Sequence, residues 1–140
     1  MLIKYASWVS RDCKKASVLQ LGCGYYSTPL LFEMSLAFKW NFQVYTTDKY
    51  YSEKYRYANV KFLNNWEYIN YLLAKKWDLV FIDNDMLPHQ RLKLVKDFIH
   101  VSKYVIMHDV DQVPEENLYF EDIKLDLDKT CYPWTASWAL

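Results

Sequence analysis

Short apolar runs stopped by polar or turn-forming residues recur along the chain, separated by stretches whose apolar positions repeat at helical spacing. Ser17–Leu21 is one such run, ended by Gly22, and has the form of a strand buried on both faces. Others cover 42–46, ended by Thr47 and Asp48; 60–63; Trp77–Ile82, ended by Asp83; and 104–107, ended by His108 and Asp109. Before the first run, residues 2–15 set Ile3, Ala6, Trp8, Val9 and Cys13 near helical spacing, and Lys14 and Lys15 suit a helix C-terminus. After it, Thr28 and Pro29 supply an N-cap and a proline at the first helical position, and Leu30, Leu31, Met34 and Phe38 make one stripe. Trp66–Ala74 is expected to be helical, and Pro88 opens a helix in which Leu92, Val95, Phe98 and Ile99 share a face.

Strand-helix alternation of this kind predicts an α/β fold: a mostly parallel sheet with helices on both faces. The tail differs. Residues 119–127 and 134–138 read as two strands joined by a turn at 128–133, with no helix between them, which predicts an antiparallel hairpin at the sheet edge. A length of 140 residues fits one domain, 1–140, able to bury roughly two thirds of its unfolded surface.

Composition narrows the function. An apolar fraction of 52% and an aromatic fraction of 19% exclude a disordered chain. Seventeen basic and seventeen acidic residues cancel, so no overall field recruits nucleic acid or an anionic membrane, and neither partner is expected. The run 49–56 alone mixes tyrosines with cations in a way that suits bases and phosphates, although an amphipathic surface loop is the commoner meaning. Cys13, Cys23 and Cys131 are irregularly spaced and read as reduced thiols, and no apolar stretch has the length of a membrane span, so a cytoplasmic setting is expected. Surface aromatics allow a homodimer.

The chain has only two glycines, Gly22 and Gly24, and both fall between the first strand and the next helix. There, glycine lets the backbone turn sharply and lets a ligand approach with no Cβ in the way. Asp48 follows twenty-four residues later at a strand end, where a carboxylate can hold the ribose hydroxyls of an adenine nucleoside. Asn64, Asn65 and Trp66 follow the third strand, Asp83, Asn84 and Asp85 the fourth, and His108 and Asp109 the fifth. Trp66 could stack on adenine, and Asp83, His108 and Asp109 suit either acid-base chemistry or a divalent metal.

The segments 18–24, 77–83 and 105–109, with Asp48 between them, resemble the successive motifs of Rossmann-like, class I S-adenosylmethionine-dependent methyltransferases. The loop 24–30, with Asp83, Arg91, His108, Asp109 and the late 133–135, is similar to a subgroup whose cofactor loop reads GxGxxSTP. The resemblance implies that Leu21, Gly22, Cys23, Gly24, Ser27 and Thr28 wrap the methionine part of S-adenosylmethionine, that Asp48 holds ribose, and that Asn65 and Trp66 border adenine. Asp83 is placed at both the cofactor and the reacting atoms. The expected activity is O- or N-methylation of a small-molecule or sugar-like acceptor. His108 is the first candidate base, Asp83 and Asp109 follow, and a magnesium-like ion on Asp83 and Asp109 is the candidate metal. His89 and Arg91 could meet an acidic or sugar-like acceptor. Gln20 stands where the family has an acidic residue and weakens contact with the cofactor's amino group, and Ser27 replaces a small residue.

Two other readings use the same residues. A binding or scaffold protein could keep the fold without turnover, since little chain is available for a substrate lid. A nicotinamide-dependent oxidoreductase would use Gly22, Gly24 and Asp48, but bulky Tyr25 and Tyr26 obstruct a pyrophosphate.

Overall fold

The computed structural model describes residues 1–111, 113–120, 123–129 and 135–139, and in it the alternating pattern becomes a seven-stranded sheet. Strands β1 (Ser17–Leu21), β2 (Asn41–Thr46), β3 (Lys61–Phe62), β4 (Trp77–Ile82) and β5 (Ser102–His108) are mutually parallel. A separate two-stranded ribbon pairs β6 (Tyr119–Phe120) with β7 (Ile123–Lys124). β8 (Asp126–Asp128) and β9 (Thr135–Ala139) complete the main sheet, in the order β3-β2-β1-β4-β5-β9-β8, and β9 runs antiparallel to both neighbours. Counting only the sheet's own strands, the order is 3-2-1-4-5-7-6. This is the expected doubly wound, mostly parallel α/β sheet with its C-terminal antiparallel hairpin.

Side-chain alternation along the strands divides the core between the two faces. Val18, Leu79, Phe81 and Ile106 pack with Tyr5, Ala6 and Val9 of α1 (Leu2–Asp12) and Leu31 of α2 (Ser27–Phe38). Leu19, Leu21, Val80, Ile82, Val105 and Met107 pack instead with Ile69 and Leu72 of the 3-10 segment Trp66–Ala74 and with Leu92, Val95 and Phe98 of α4. α4 spans Pro88–Phe98, and α3 is the short helix Lys49–Lys54. Each fully buried Leu, Ile or Phe contributes about 1.5–3 kcal/mol relative to exposure, so both layers are needed to hold the central strands.

Several local expectations change. α1 stops at Asp12, and Ile3 is exposed because Tyr5 fills the core face, its hydroxyl 2.9 Å from Ser137 Oγ. α2 begins at Ser27 and its N-cap is Tyr26 with no side-chain bond, so Thr28 lies inside the first turn and not before it. Phe38, expected in the core stripe, is exposed and stacks on Trp40, while Thr28, Leu31 and Ser35 face inward. Trp66–Ala74 is a 3-10 helix, the 49–56 run is largely helical, and the 119–127 stretch is interrupted by the β6–β7 ribbon. Of the turn expected at 128–133, residues 130–133 lie outside the described residues, as do Cys131 and Trp134. Among the described residues no helix is long and apolar enough to cross a membrane.

From β1 the chain moves toward β2 and β3, and from β4 it moves toward β5, so the winding direction changes between β1 and β4. Ligands of open α/β sheets bind at the carboxyl ends of the strands at such a reversal.

Candidate functional site

Gly22 leaves β1 at a φ of 93°, in the region that favours glycine. Its N–H donates to the Tyr45 carbonyl oxygen at 2.8 Å, and the Asp83 N–H donates to the Leu21 carbonyl oxygen at 2.8 Å. A Cβ on Gly22 would lie 1.9 Å from the Asp83 carbonyl oxygen, so the close passage of β4 beside β1 by itself requires this glycine. At Gly24 a Cβ would meet Ser27 Oγ at 2.6 Å and Asp83 Oδ2 at 3.0 Å. The glycine loop therefore lies directly against the end of β4.

Gln20, fully buried on β1, holds that loop from below. Its Nε2 donates to Ser27 Oγ at 3.1 Å and to Thr28 Oγ1 at 3.0 Å, and Thr28 Oγ1 also accepts from the Gly24 N–H at 3.1 Å. Ser27 and Thr28 are buried and spend their hydroxyls inside the protein. Gln20, which stands where the resembled family has an acidic residue, braces the loop in this structure. The half-buried Cys23 thiol is pushed up to about 11 by burial, against hydrogen bonding with Thr28 and Thr46, so it stays neutral near pH 7.

Asp48 is the N-cap of α3: its Oδ1 accepts from the N–H of Tyr50 at 2.8 Å and of Tyr51 at 3.4 Å. Beyond β3, Asn65 is exposed and Trp66 half-buried. Trp66 Nε1 donates to Asp85 Oδ1 at 2.6 Å, and Thr47 Oγ1 donates to the same oxygen at 2.9 Å. Asp85, noted in the sequence only as a strand-end residue, thus joins the segments after β2, β3 and β4.

Among the described residues, one cluster of metal-ligand type groups lies at the ends of β4 and β5. His108 Nδ1 lies 3.2 Å from Asp83 Oδ1 and 2.9 Å from Asp109 Oδ1, and ligand-type atoms of all three residues fall within 4.8 Å of one another. The hydrogen bond with Asp83 raises the His108 pKa above its ordinary value; burial opposes this, the charges of Asp83 and Asp109 add to it, and Arg91 subtracts. With carboxylates on its Nδ1 side, the ring carries hydrogen on Nδ1 and leaves Nε2 as the basic atom when neutral.

Asp109 is held at a φ of 55°, in the left-handed region. Buried Arg91 sits behind it, donating from Nη1 to the His108 carbonyl oxygen at 2.8 Å and from Nη2 to the Asp109 carbonyl oxygen at 3.2 Å. Its Nη1 is also 3.6 Å from Asp109 Oδ2. Arg91, expected to meet an acceptor, is buried and supports the end of β5 through these backbone bonds from Nη1 and Nη2. His89 is exposed. A hollow of about 670 Å³ at the opposite, amino end of β4 and β5 is lined by Trp77, Asp78, Ser102, Lys103 and Trp138. It contains none of the cluster residues, and the carboxyl edge remains the place where the chemistry converges.

The sheet order 3-2-1-4-5-7-6 is that of a methyltransferase-like α/β fold. Three solved structures share it at low identity: a mutant of MtNAS (12% identity, TM-score 0.58), human methyltransferase 10 domain containing protein (16%, 0.59) and the METTL16 MTase domain (15%, 0.55). They cover 97%, 98% and 99% of this chain, which spans 57%, 81% and 66% of theirs, respectively. No family model matches the sequence, and no curated protein matches it. The likeness is one of fold.

Proposed function

We propose that this chain is an S-adenosylmethionine-dependent methyltransferase of the GxGxxSTP-loop kind, acting by O- or N-methylation on a small-molecule or sugar-like acceptor. The observation that carries the reading is the contact between the glycine loop and the acid-base cluster. Asp83 Oδ2 stands 3.0 Å from the Cβ position of Gly24, while Asp83 Oδ1 is 3.2 Å from His108 Nδ1. A donor held on the loop and an acceptor at the imidazole would be neighbours.

The residues fit the cofactor at a second place. Asp48 is exposed, and its carboxylate accepts the Tyr50 and Tyr51 N–H groups on Oδ1, which leaves Oδ2 for a ribose hydroxyl. Trp66 and Asn65 would border the purine, and the 21–24 backbone the amino acid end. When bound, the sulfonium supplies an electrophilic methyl group. His108 Nε2 takes the proton released by the acceptor's O–H or N–H, and the resulting imidazolium is stabilised by Asp83 and Asp109 on its other nitrogen. Arg91 keeps the Asp109 carboxylate and the β5 end in place. Asp83, His108 and Asp109 also have the donor set for a divalent cation, and magnesium is therefore one variable of the test.

One observation favours a second reading, a binding or scaffold protein without turnover: the packing around Gly22 requires that glycine with no ligand present. Calorimetric and thermal-shift titration with S-adenosylmethionine, S-adenosylhomocysteine and NAD, each with and without magnesium, separates the two. The proposal expects saturable binding of the first two alone, with stabilisation of about 2.7 kcal/mol at one hundred times the dissociation constant. Binding of none of them overturns it in favour of the scaffold.

A further inference from the structure

Asp85 is exposed, yet one of its oxygens is the meeting point of three segments that are distant in sequence. In the sheet, β4 is separated from β2 by β1 and from β3 by both, so a residue just after β4 must reach along the carboxyl edge to touch Thr47 and Trp66. The bonds it accepts there are short and charge-assisted, the kind that fixes a donor's orientation. The Trp66 indole has only two side-chain torsions, and a bond at Nε1 to a carboxylate restrains both. Its ring also packs against the apolar core, so neither its edge nor its face is free to turn.

We propose that Asp85 is a positioning residue for the purine end of the cofactor: it holds the Trp66 indole as a preformed wall and ties that wall, through Thr47, to the segment bearing Asp48. The inference rests on the cofactor reading above and adds to it a residue that itself need not touch the ligand. A wall ordered in advance costs less to occupy than one ordered on binding. Asp85→Ala leaves Trp66 without its acceptor and frees Thr47. Asp85→Asn keeps an oxygen at the same place and should preserve both bonds.

The test compares the unaltered chain with Asp85→Ala, Asp85→Asn and Trp66→Phe. S-adenosylhomocysteine, adenosine and methionine are titrated by calorimetry, and the indole N–H resonances are followed by NMR. The Trp66 resonance is assigned as the one missing in Trp66→Phe. Asp85→Ala is expected to weaken adenosine and S-adenosylhomocysteine about tenfold, the order of one lost charge-assisted bond, without altering methionine binding. In the same variant the Trp66 signal should move toward the exposed-indole position, and Asp85→Asn should restore affinity and signal. If Asp85→Ala folds poorly, Trp66→Phe poses the same question, because it keeps a ring and removes the donor. Adenosine binding by the unaltered chain that survives Asp85→Ala and Trp66→Phe undiminished overturns this inference alone. Failure of the unaltered chain to bind any adenosine compound overturns the cofactor reading and this inference with it.

Discussion

The two glycines differ in what they permit, and substitution should separate them. Gly22→Ala places a methyl group into the Asp83 carbonyl at an unfavourable φ, and a loss of about 3 kcal/mol or more is expected in urea unfolding. Gly24→Ala meets a rotatable Ser27 hydroxyl and the tip of Asp83, so a cost of about 1 kcal/mol is expected, with the main damage to ligand binding. Equal losses of stability would show that the loop is a purely structural turn. At the other end of the sheet, Asp78 accepts from Lys103 Nζ at 2.6 Å, the Ser17 N–H at 2.8 Å and the Cys13 thiol at 3.2 Å. Burial pushes its carboxyl up, but these three bonds outweigh burial and hold it below the ordinary aspartate value. Its folded pKa is thus depressed, so the stabilisation is present above the unfolded value near 3.9 and is lost as pH falls through the folded one. Thermal unfolding from about pH 6 down to pH 2 should show this loss, and Asp78→Asn should be less stable by about 1–3 kcal/mol at pH 6 with a flatter acid limb. At this scale the sequence placed Asp48, Asp83, His108 and Asp109 at strand ends, where they lie in the structure. It did not reveal that Gln20 and Arg91 turn inward, because which polar side chain braces a neighbour depends on packing partners far away in the chain.

Among the elements, α3 has the most to say about the candidate site, because Asp48 both starts that helix and is the proposed ribose ligand. Asp48→Ala removes two roles at once, with an expected stability cost of about 1 kcal/mol for the lost cap. Asp48→Asn caps as well as aspartate does but carries no charge, so it should leave the melting temperature unchanged and still weaken S-adenosylhomocysteine in calorimetry. If the asparagine variant binds normally, Asp48 is a cap and nothing more. Strands β1, β2, β4 and β5 were legible because each lies on a short apolar run ended by a polar residue, and α4 because Pro88 and the spacing of Leu92, Val95 and Phe98 agree. α3 was harder to see: it buries none of its six residues, so it has no apolar stripe, and its signal was the cap alone. Trp66–Ala74 has an apolar pattern compatible with helix of either pitch, and periodicity did not distinguish the tighter one.

For the whole molecule, α1 is the outermost cover of one sheet face, where Tyr5, Ala6 and Val9 shield Val18, Leu79, Phe81 and Ile106. Removing residues 1–12 should therefore abolish cooperative thermal unfolding; a sharp transition in the shortened chain would show that α1 is dispensable to the core. The overall class and its antiparallel ending were readable from the alternation and its failure in the tail. The order of the last two strands was not, since sequence spacing cannot tell which of them lies next to β5. That order governs how the sheet can be assembled as the chain is made. β9 occupies the place between β5 and β8, so β8, although synthesised first, has no position in the sheet until residues 135–139 have left the ribosome. Until then the β5 backbone from Tyr104 to His108 presents an open edge, which invites pairing with another nascent chain. The same segment carries His108, so the proposed base acquires its final surroundings only once β9 has paired with β5.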